Sequence, residues 1–326
     1  MNIDCLCHWI VLPLLRYPLL VSLVLRRSLS DSTSICLTVY TLLINAFLIA
    51  NSYIKRSGQI TWKSLHEFKN GIVLVTGGSK GLGRAIVFQL LQDYSNLTIL
   101  NVDICPSPVR DPRVKDLICD LSDDEEVTAL LNLLKRKYKS EIRLIVNNAG
   151  VRANFTGFNR IKRENLDKVF KINTFAPLQF IQELAPSRRS TRQCYIINIA
   201  SILGILTPAK VAAYAASKAA LIAFHQSYSF ELQNEGVRNI RTLLVTPGQL
   251  NTEMFAGFKP PRQFFAPVID IDTLAARIVS CCESGQRGQL NEPFYCSFAH
   301  LLMCIPYSLQ RTVRSFTCID CCLPDE

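Results

Sequence analysis

Charge is scarce in this chain of 326 residues: Asp, Glu, Lys and Arg make up only 19%, against 49% hydrophobic residues. Such a balance excludes an intrinsically disordered polypeptide. Internal repeats and low-complexity tracts are missing as well, which argues against a repeat architecture. The formal net charge is +10, yet no basic stripe interleaves with aromatics, so no nucleic-acid partner is expected. The 13 cysteines lack the even count and regular spacing of a disulfide framework. Cys105, Cys119 and Cys194 sit within or beside apolar runs, where a small buried thiol is ordinary, and reduced cysteines on the cytosolic side are expected. Cys318, Cys321 and Cys322 form a C-x-x-C-C run. Neither a second pair nor a nearby histidine completes four zinc ligands, so no metal is expected. Reversible acylation near a membrane is the other reading of these thiols.

Between Ser32 and Ile54 charge is absent altogether, and Ile35–Ala50 is almost wholly apolar. At ~1.5 Å per residue that span makes about 34 Å of helix, enough for a hydrocarbon core of ~30 Å. A transmembrane helix is expected over residues 32–54. The preceding segment, 1–31, is apolar over Cys5–Leu25 but interrupted by Pro13, Arg16 and Pro18; it reads as a second, kinked span or as an interfacial segment. A cleaved signal peptide fits poorly, because no basic cluster precedes the apolar run and no small-residue cleavage pattern follows it. Arg26, Arg27, Lys55 and Arg56 put basic charge on both sides of the span, so the positive-inside rule does not choose an orientation.

After a linker, residues 55–70, the texture changes. Short β-branched runs at Ile72–Val75, Leu97–Val102, Ile142–Val146, Tyr195–Ile199 and Ile240–Val245 alternate with helical stretches at Gly83–Gln92, Glu125–Tyr138, Leu166–Leu184 and Ala216–Leu232. Ser122 followed by Glu125 reads as a capping box. Alternation of this kind predicts an α/β fold: a Rossmann-type, doubly wound parallel sheet, with ligands bound beyond the carboxyl ends of the strands.

The first strand runs into Thr76-Gly77-Gly78-Ser79-Lys80-Gly81-Leu82-Gly83. Strand, glycine turn and helix N-terminus in that order suit a pyrophosphate, although the spacing is G-x-x-x-G-x-G rather than G-x-G-x-x-G. Asp103, at the end of the second strand, is placed to accept hydrogen bonds from the adenine ribose and to repel a 2′-phosphate. At about 5 Å and an effective dielectric near 20 that repulsion is worth roughly 3 kcal/mol per unit charge. The expectation is NAD, with NADP kept open by Lys80 and Arg84.

The glycine pattern together with Asn147-Asn148-Ala149-Gly150 resembles the classical short-chain dehydrogenase/reductase family, over roughly Gly71 to Pro293. The resemblance implies that Asp120 contacts the adenine and that the Asn147 turn joins the cofactor site and braces the sheet. Tyr214 and Lys218 stand four apart, on one helix face. A phenol ionising near 10 needs about 4 kcal/mol of help to act at pH 7, and one ammonium at about 4 Å in a partly desolvated site supplies that much. Tyr214 is then the general base in alcohol oxidation and the general acid in carbonyl reduction. By resemblance Ser201 hydrogen-bonds the substrate oxygen and Asn173 holds a relay water. Lys218 also binds the nicotinamide ribose, and Pro247 and Thr252 meet the cofactor. With all four reacting residues present, a catalytically dead member is disfavoured.

Residues 251–267 should form a lid over the substrate, carrying Met254, Phe255, Phe258, Phe264 and Phe265. Met254 and Phe255 are the expected substrate contacts beside Ser201. The layout is similar to membrane-bound retinol and 17β-hydroxysteroid dehydrogenases and to membrane-anchored fungal oxidoreductases of the family. It has an anchor, a catalytic domain at 71–295 and a hydrophobic, cysteine-containing tail at 296–326. A lipophilic alcohol or carbonyl is the expected substrate, and the membrane the expected partner. The need for cytosolic cofactor puts the domain on the cytosolic face, with endoplasmic reticulum or lipid droplet fitting better than a mitochondrial membrane. A homodimer is left open. Two other readings stand beside this one: an NADPH-dependent reductase of small carbonyls, and a cofactor-binding redox sensor or scaffold without turnover.

Overall fold

The structure is a computed structural model that describes residues 2–19, 30–56, 62–255 and 262–323. Arg26, Arg27, Phe258 and the end of the first apolar segment lie outside the described residues. The centre of the molecule is a seven-stranded sheet. Its strands are β1 (Gly71–Thr76), β2 (Leu97–Asp103), β3 (Val114–Ile118), β4 (Ile142–Asn147), β5 (Cys194–Ile199), β6 (Ile240–Pro247) and β7 (Gly288–Glu292). They lie in the order β3-β2-β1-β4-β5-β6-β7, and every pairing is parallel.

Successive side chains of a strand point to opposite faces, so a strand covered on both faces must be apolar throughout. In β1, Val73 and Val75 pack into a core formed with Ile86 and Leu90 of α4 (Gly81–Asp93) and Leu274 and Ile278 of α10 (Ile271–Glu283). Ile72 and Leu74 face the other way. They meet Leu130 and Leu134 of α5 (Asp124–Lys137), Phe180 of α7 (Ala176–Leu184) and Leu232 of α9 (Ala212–Asn234). The strands the sequence pattern did not show, β3 and β7, are the two edges. Their Lys115, Asp116, Gln289 and Asn291 are exposed or half-buried, so neither carries a continuous apolar run.

One local expectation is corrected. The cap of α5 is Asp123, whose carboxylate accepts the backbone N–H groups of Glu125 and Glu126. Ser122 turns its hydroxyl to Asp120 instead. The stretch Leu166–Leu184 is helical throughout, as expected. It is α6 (Arg163–Phe170) and α7, joined by a π-helical turn at Lys171–Phe175 that holds Asn173. Such turns recur at functional sites.

Ahead of the sheet stand α1 (Ile3–Leu6) and α2 (Leu12–Arg16), joined by a π turn at Cys7–Val11. The long helix α3 (Asp31–Arg56) follows, with 26 residues. Its most apolar stretch has a mean hydropathy of 1.9 and none of it is buried within the protein. At ~1.5 Å per residue α3 is long enough to cross a bilayer. Arg16 and Tyr17 hydrogen-bond Asn45, which lays α2 beside it. The far end of α3 is tied to the domain. Arg241 donates to the carbonyls of Arg56 and Gly285, at 2.9 and 2.7 Å, and lies over the Trp62 ring. Burial pushes the Arg241 pKa down to about 10. The 13 cysteines are all free thiols, and among the described residues no His, Cys, Asp and Glu cluster suits a metal.

One glycine is fixed by packing rather than by φ. A Cβ on Gly83 would stand 2.1 Å from the Gly77 carbonyl oxygen and 2.5 Å from the Asn148 amide nitrogen. Gly83→Ala should therefore lower stability by about 1–3 kcal/mol, as overpacking does, read as a lower denaturation midpoint in detergent. An unchanged midpoint would show that α4 shifts away from β1 without cost.

Candidate active site

Between β1 and β4 the strand order reverses, and a crevice opens beyond the carboxyl ends of the strands. A cavity of about 1400 Å³ fills it, larger than the ~300–1,000 Å³ that one small ligand occupies. One end is lined by Gly77, Ser79, Lys80, Gly81 and Leu82, the middle by Ser201, Tyr214 and Lys218, and the other end by Met254, Phe255, Leu302 and Leu323.

The glycine loop has its shape because Gly77 and Gly81 take φ of +67° and +51°, where a side chain is strained. It delivers the chain to the N-terminus of α4, which carries no acidic residue in its first turn and no side-chain cap. The orphan N–H groups of that turn therefore suit an anion. On this observation the loop fits a pyrophosphate, and the cavity beyond it has room for the rest of a dinucleotide.

Thr76 holds the two walls of the crevice together. Its hydroxyl accepts the N–H groups of Asn148 and Ala149, both at 3.0 Å, while the Asn148 amide donates to the carbonyls of Thr76 and Gly77. Thr76 itself stands behind the cavity wall. So does Asn147. In β4 it is registered opposite Asn198 of β5, and its amide donates to the Asn198 oxygen at 2.8 Å, inside the sheet. Its neighbour Asn148 is the one that lines the cavity.

Of the carboxylates, Asp103 lines the cavity at the end of β2 and accepts the N–H groups of Ser79 and Ile104. Asp120 also lines it; hydrogen bonds from Ser122 hold its carboxyl below the usual range. Thr252 rests against Gly81, and Lys80 reaches Glu253 at 4.0 Å, an exposed pair of small energetic weight. Pro247 closes the wall behind Ser201, its carbonyl accepting the Ile202 N–H.

Ser201, Tyr214 and Lys218 converge. Backbone bonds from Ala200 to Val245 and from Ile202 to Pro247 hold the Ser201 segment, which leads into the short α8 (Leu203–Leu206), to β6. Ser201 is the side chain that favours the Tyr214 phenolate. Lys218, one turn further along α9, donates to the Ile199 carbonyl at 2.8 Å, and its Nζ lies 5.9 Å from the Tyr214 ring. Gly150 leaves room for these groups, since a Cβ there would come within 3.4 Å of the Lys218 nitrogen. Asn173 is fully buried behind the wall. Its amide takes the Val151 N–H and donates to the Val151 carbonyl and the Ser217 hydroxyl, so its side chain is engaged by protein groups.

The electrostatics differ from the sequence expectation. Burial pushes the Tyr214 phenol up to about 12, opposed by the Ser201 hydrogen bond, and pushes the Lys218 ammonium down to about 8. One desolvated environment penalises both charged forms. Phe255 covers the phenol edge-on at 5.9 Å, and Phe155 lies 5.8 Å from Phe255. Arg152 fastens the Met254–Phe255 segment. It donates to the Met254 carbonyl at 2.7 Å and lies 3.8 Å from the Phe155 ring centre. Arg152, Asn148 and the tail residue Leu323 were not singled out as site residues from the sequence; for Asn148 the signal was present in the quoted turn.

A family model described as short chain dehydrogenase matches residues 71–263, more than half of the chain. The chain belongs to the short-chain dehydrogenase family and is an oxidoreductase that works with a nicotinamide cofactor. It is 90% identical over 326 residues, the whole of both chains, to a protein of Saccharomyces cerevisiae named uncharacterized oxidoreductase TDA5. It is 26% identical over 286 residues to retinol dehydrogenase 10-B of Danio rerio, covering 77% of this chain and 80% of that one. Among solved structures, a short-chain dehydrogenase from Burkholderia cenocepacia in complex with NADP superposes with a TM-score of 0.62. That match has 21% identity over 76% of this chain and 98% of the other, a likeness of fold.

The two shifts set a pH dependence. The raised phenol pKa keeps Tyr214 protonated through neutral pH, as a proton donor should be, while the ammonium beside it is lost as pH rises through about 8. Carbonyl reduction should decline as pH rises through about 8, because the ammonium that stabilises the phenolate left behind is lost. The profile of kcat/KM for reduction checks this, and a rate that stays flat through that range would contradict it.

Proposed function

We propose that this protein is a membrane-anchored dehydrogenase that interconverts a lipophilic alcohol and its carbonyl at Ser201, Tyr214 and Lys218. The observation that carries the reading is the continuity of one cavity, from the glycine loop past the reacting residues to an apolar end at Met254, Phe255 and Leu302. A bound nicotinamide cofactor supplies the hydride carrier. In the reductive direction the Tyr214 phenol donates its proton to the carbonyl oxygen, and the Ser201 hydroxyl donates a hydrogen bond to the same oxygen. The Lys218 ammonium stabilises the phenolate left behind and offers donors to the ribose. Asn173 acts from behind, fixing Val151 and Ser217 and through them the register of α9.

The glycine loop and the N-terminus of α4 hold the pyrophosphate, and Asp103 favours NAD over NADP. Lys80 and Arg84 line the same end of the cavity and are the specific support for the NADPH reading. The membrane assignment rests on α3 and on a belt of exposed apolar side chains around the lid. Trp9 of the π turn after α1, Leu301 of α11 (Ala299–Cys304) and Phe316 of α12 (Tyr307–Thr317) are all exposed. They are continuous with the lid through the Ile3 N–H on the Phe264 carbonyl and the Phe265–Phe316 ring contact. We place the domain on the cytosolic face, of endoplasmic reticulum or lipid droplet, because the cofactor is supplied there.

The test is a screen of a lipid extract with purified protein, NAD(H) and NADP(H), with Tyr214→Phe as the blank. Loss of the proton donor should cut turnover by about 10²–10⁴-fold while cofactor binding is kept; a blank that still turns over sinks the mechanism. Hydride transfer to no lipid, with binding unaltered by Tyr214→Phe, would instead favour the sensor. Asp103→Ala should shift the NADP/NAD preference roughly 100-fold toward NADP, the equivalent of ~3 kcal/mol. An unaltered ratio would favour the NADPH-dependent reductase.

A further inference from the structure

We infer that the C-terminal tail, residues 318–323, is a wall of the substrate end of the cavity and that its Leu323 is a specificity-determining residue seated on Tyr214. The inference rests on the substrate reading above, and reaches a segment outside the matched region at 71–263.

Chain ends are poorly ordered unless something ties them down; this one is tied at several points. Cys318 ends α12 with φ of +55°, in the left-handed region, and turns the chain back toward the site. The Asp320 carboxylate then accepts from Arg314 at 2.8 Å and from the Ala209 N–H at 3.1 Å. Arg314 in turn donates to the carbonyls of Leu206 and Thr207. At the end of the described tail, Lys210 donates to the Leu323 carbonyl at 2.8 Å. The receiving loop is itself unusual, with Thr207 and Lys210 at φ of +42° and +68°. Left-handed conformations of such residues persist only where the surroundings over-determine them.

These ties place Leu323, only 5% exposed, in one cluster with Phe155, Val211, Tyr214 and Ala215. Ile319, Cys322 and Leu323 line the cavity. Tyr214 is thus covered by Phe255 from the lid and by Leu323 from the tail. A substrate whose oxygen reaches the phenol must run its carbon skeleton along these two side chains. An apolar wall discriminates by volume, and one methylene in such a pocket changes relative rates by about 10–200-fold. The size of residue 323 should therefore select the substrate, while the glycine loop at the opposite end is unaffected.

The experiment has two arms on the full-length protein in detergent. In the first, iodoacetamide labelling under native conditions is followed by peptide mass spectrometry. Cys321 is exposed and Cys322 is partly buried under the tail. Cys322 should react roughly tenfold more slowly than Cys321, by local protection, and Asp320→Ala should bring the two rates together. Equal rates in the unsubstituted protein, or no response to Asp320→Ala, overturn the docking. In the second arm, apolar alcohols from cyclohexanol to retinol are titrated against the protein and its Leu323→Ala and Leu323→Trp variants. Leu323→Trp should weaken binding of the bulkiest alcohol roughly tenfold and Leu323→Ala should relax the size preference, with NAD affinity unchanged in both. An unchanged size preference overturns the role of Leu323. If no alcohol binds even the unsubstituted protein, the apolar-substrate reading falls and takes the role of Leu323 with it, while the labelling arm still decides whether the tail is docked.

Discussion

The Thr76 hydroxyl stands where the two halves of the sheet part. On one side β1 leads outward to β2 and β3; on the other, β4 begins the run to β7. Ligand sites of doubly wound sheets form at this reversal because the connections leave the strand ends uncovered there. An uncovered end also has polar backbone groups to satisfy. Thr76 and Asn148 satisfy four of them across the gap, at about 3 Å each. The glycine loop and the Asn148–Gly150 turn are therefore set against each other before any ligand arrives. Gly83 and Gly77 pack close enough that α4 starts directly above the crevice. Displacing this staple would move the phosphate end and the wall beside Lys218 together.

The reacting residues are governed by a second constraint, the removal of water. Tyr214 and Lys218 lie in one desolvated region, and it shifts their pKa values toward each other, one up to about 12 and one down to about 8. Each change favours a neutral group, so Tyr214 carries its proton at neutral pH. Burial is supplied from separate parts of the chain: Phe155 after β4, Phe255 from the lid, and Leu323 from the tail. The acid–base character of the phenol is thus a property of the closed site, not of the four-residue spacing between tyrosine and lysine.

This explains which features were legible in the sequence. The glycine turn, the buried strands and the Tyr214–Lys218 pair are local patterns, and the parallel sheet follows from strand–helix alternation. The edges were not legible, because β3 and β7 bury too little to need a continuous apolar run. Asn147 and Asn148 differ by one residue, and in a strand one residue reverses the face. Only the register with Asn198 decides which of them looks into the sheet. The π turn at Asn173 leaves a helical pattern nearly intact, so Leu166–Leu184 reads as one helix. The Tyr214 shift comes from burial, and the cluster that buries it draws on residues as distant as Leu323. A boundary drawn at residue 295 on composition does not separate that tail from the site.

The tail's composition has a physical reading once its position is known. Residues 296–323 are apolar in the manner of a membrane-facing segment, and several of them, Phe298, Leu301 and Phe316, are exposed. Yet Leu302, Ile319 and Leu323 line the cavity. One short segment thus presents apolar side chains both outward and into the cavity. In a water-soluble enzyme for a small polar substrate, neither face would be favoured: the outer one would expose apolar surface and the inner one would desolvate the ligand without return. Both faces become favourable if the outer one meets lipid and the inner one meets a molecule that came from lipid. On the proposed reading, α3, the apolar tail and the dry phenol all answer to one demand, the passage of an apolar substrate between bilayer and site.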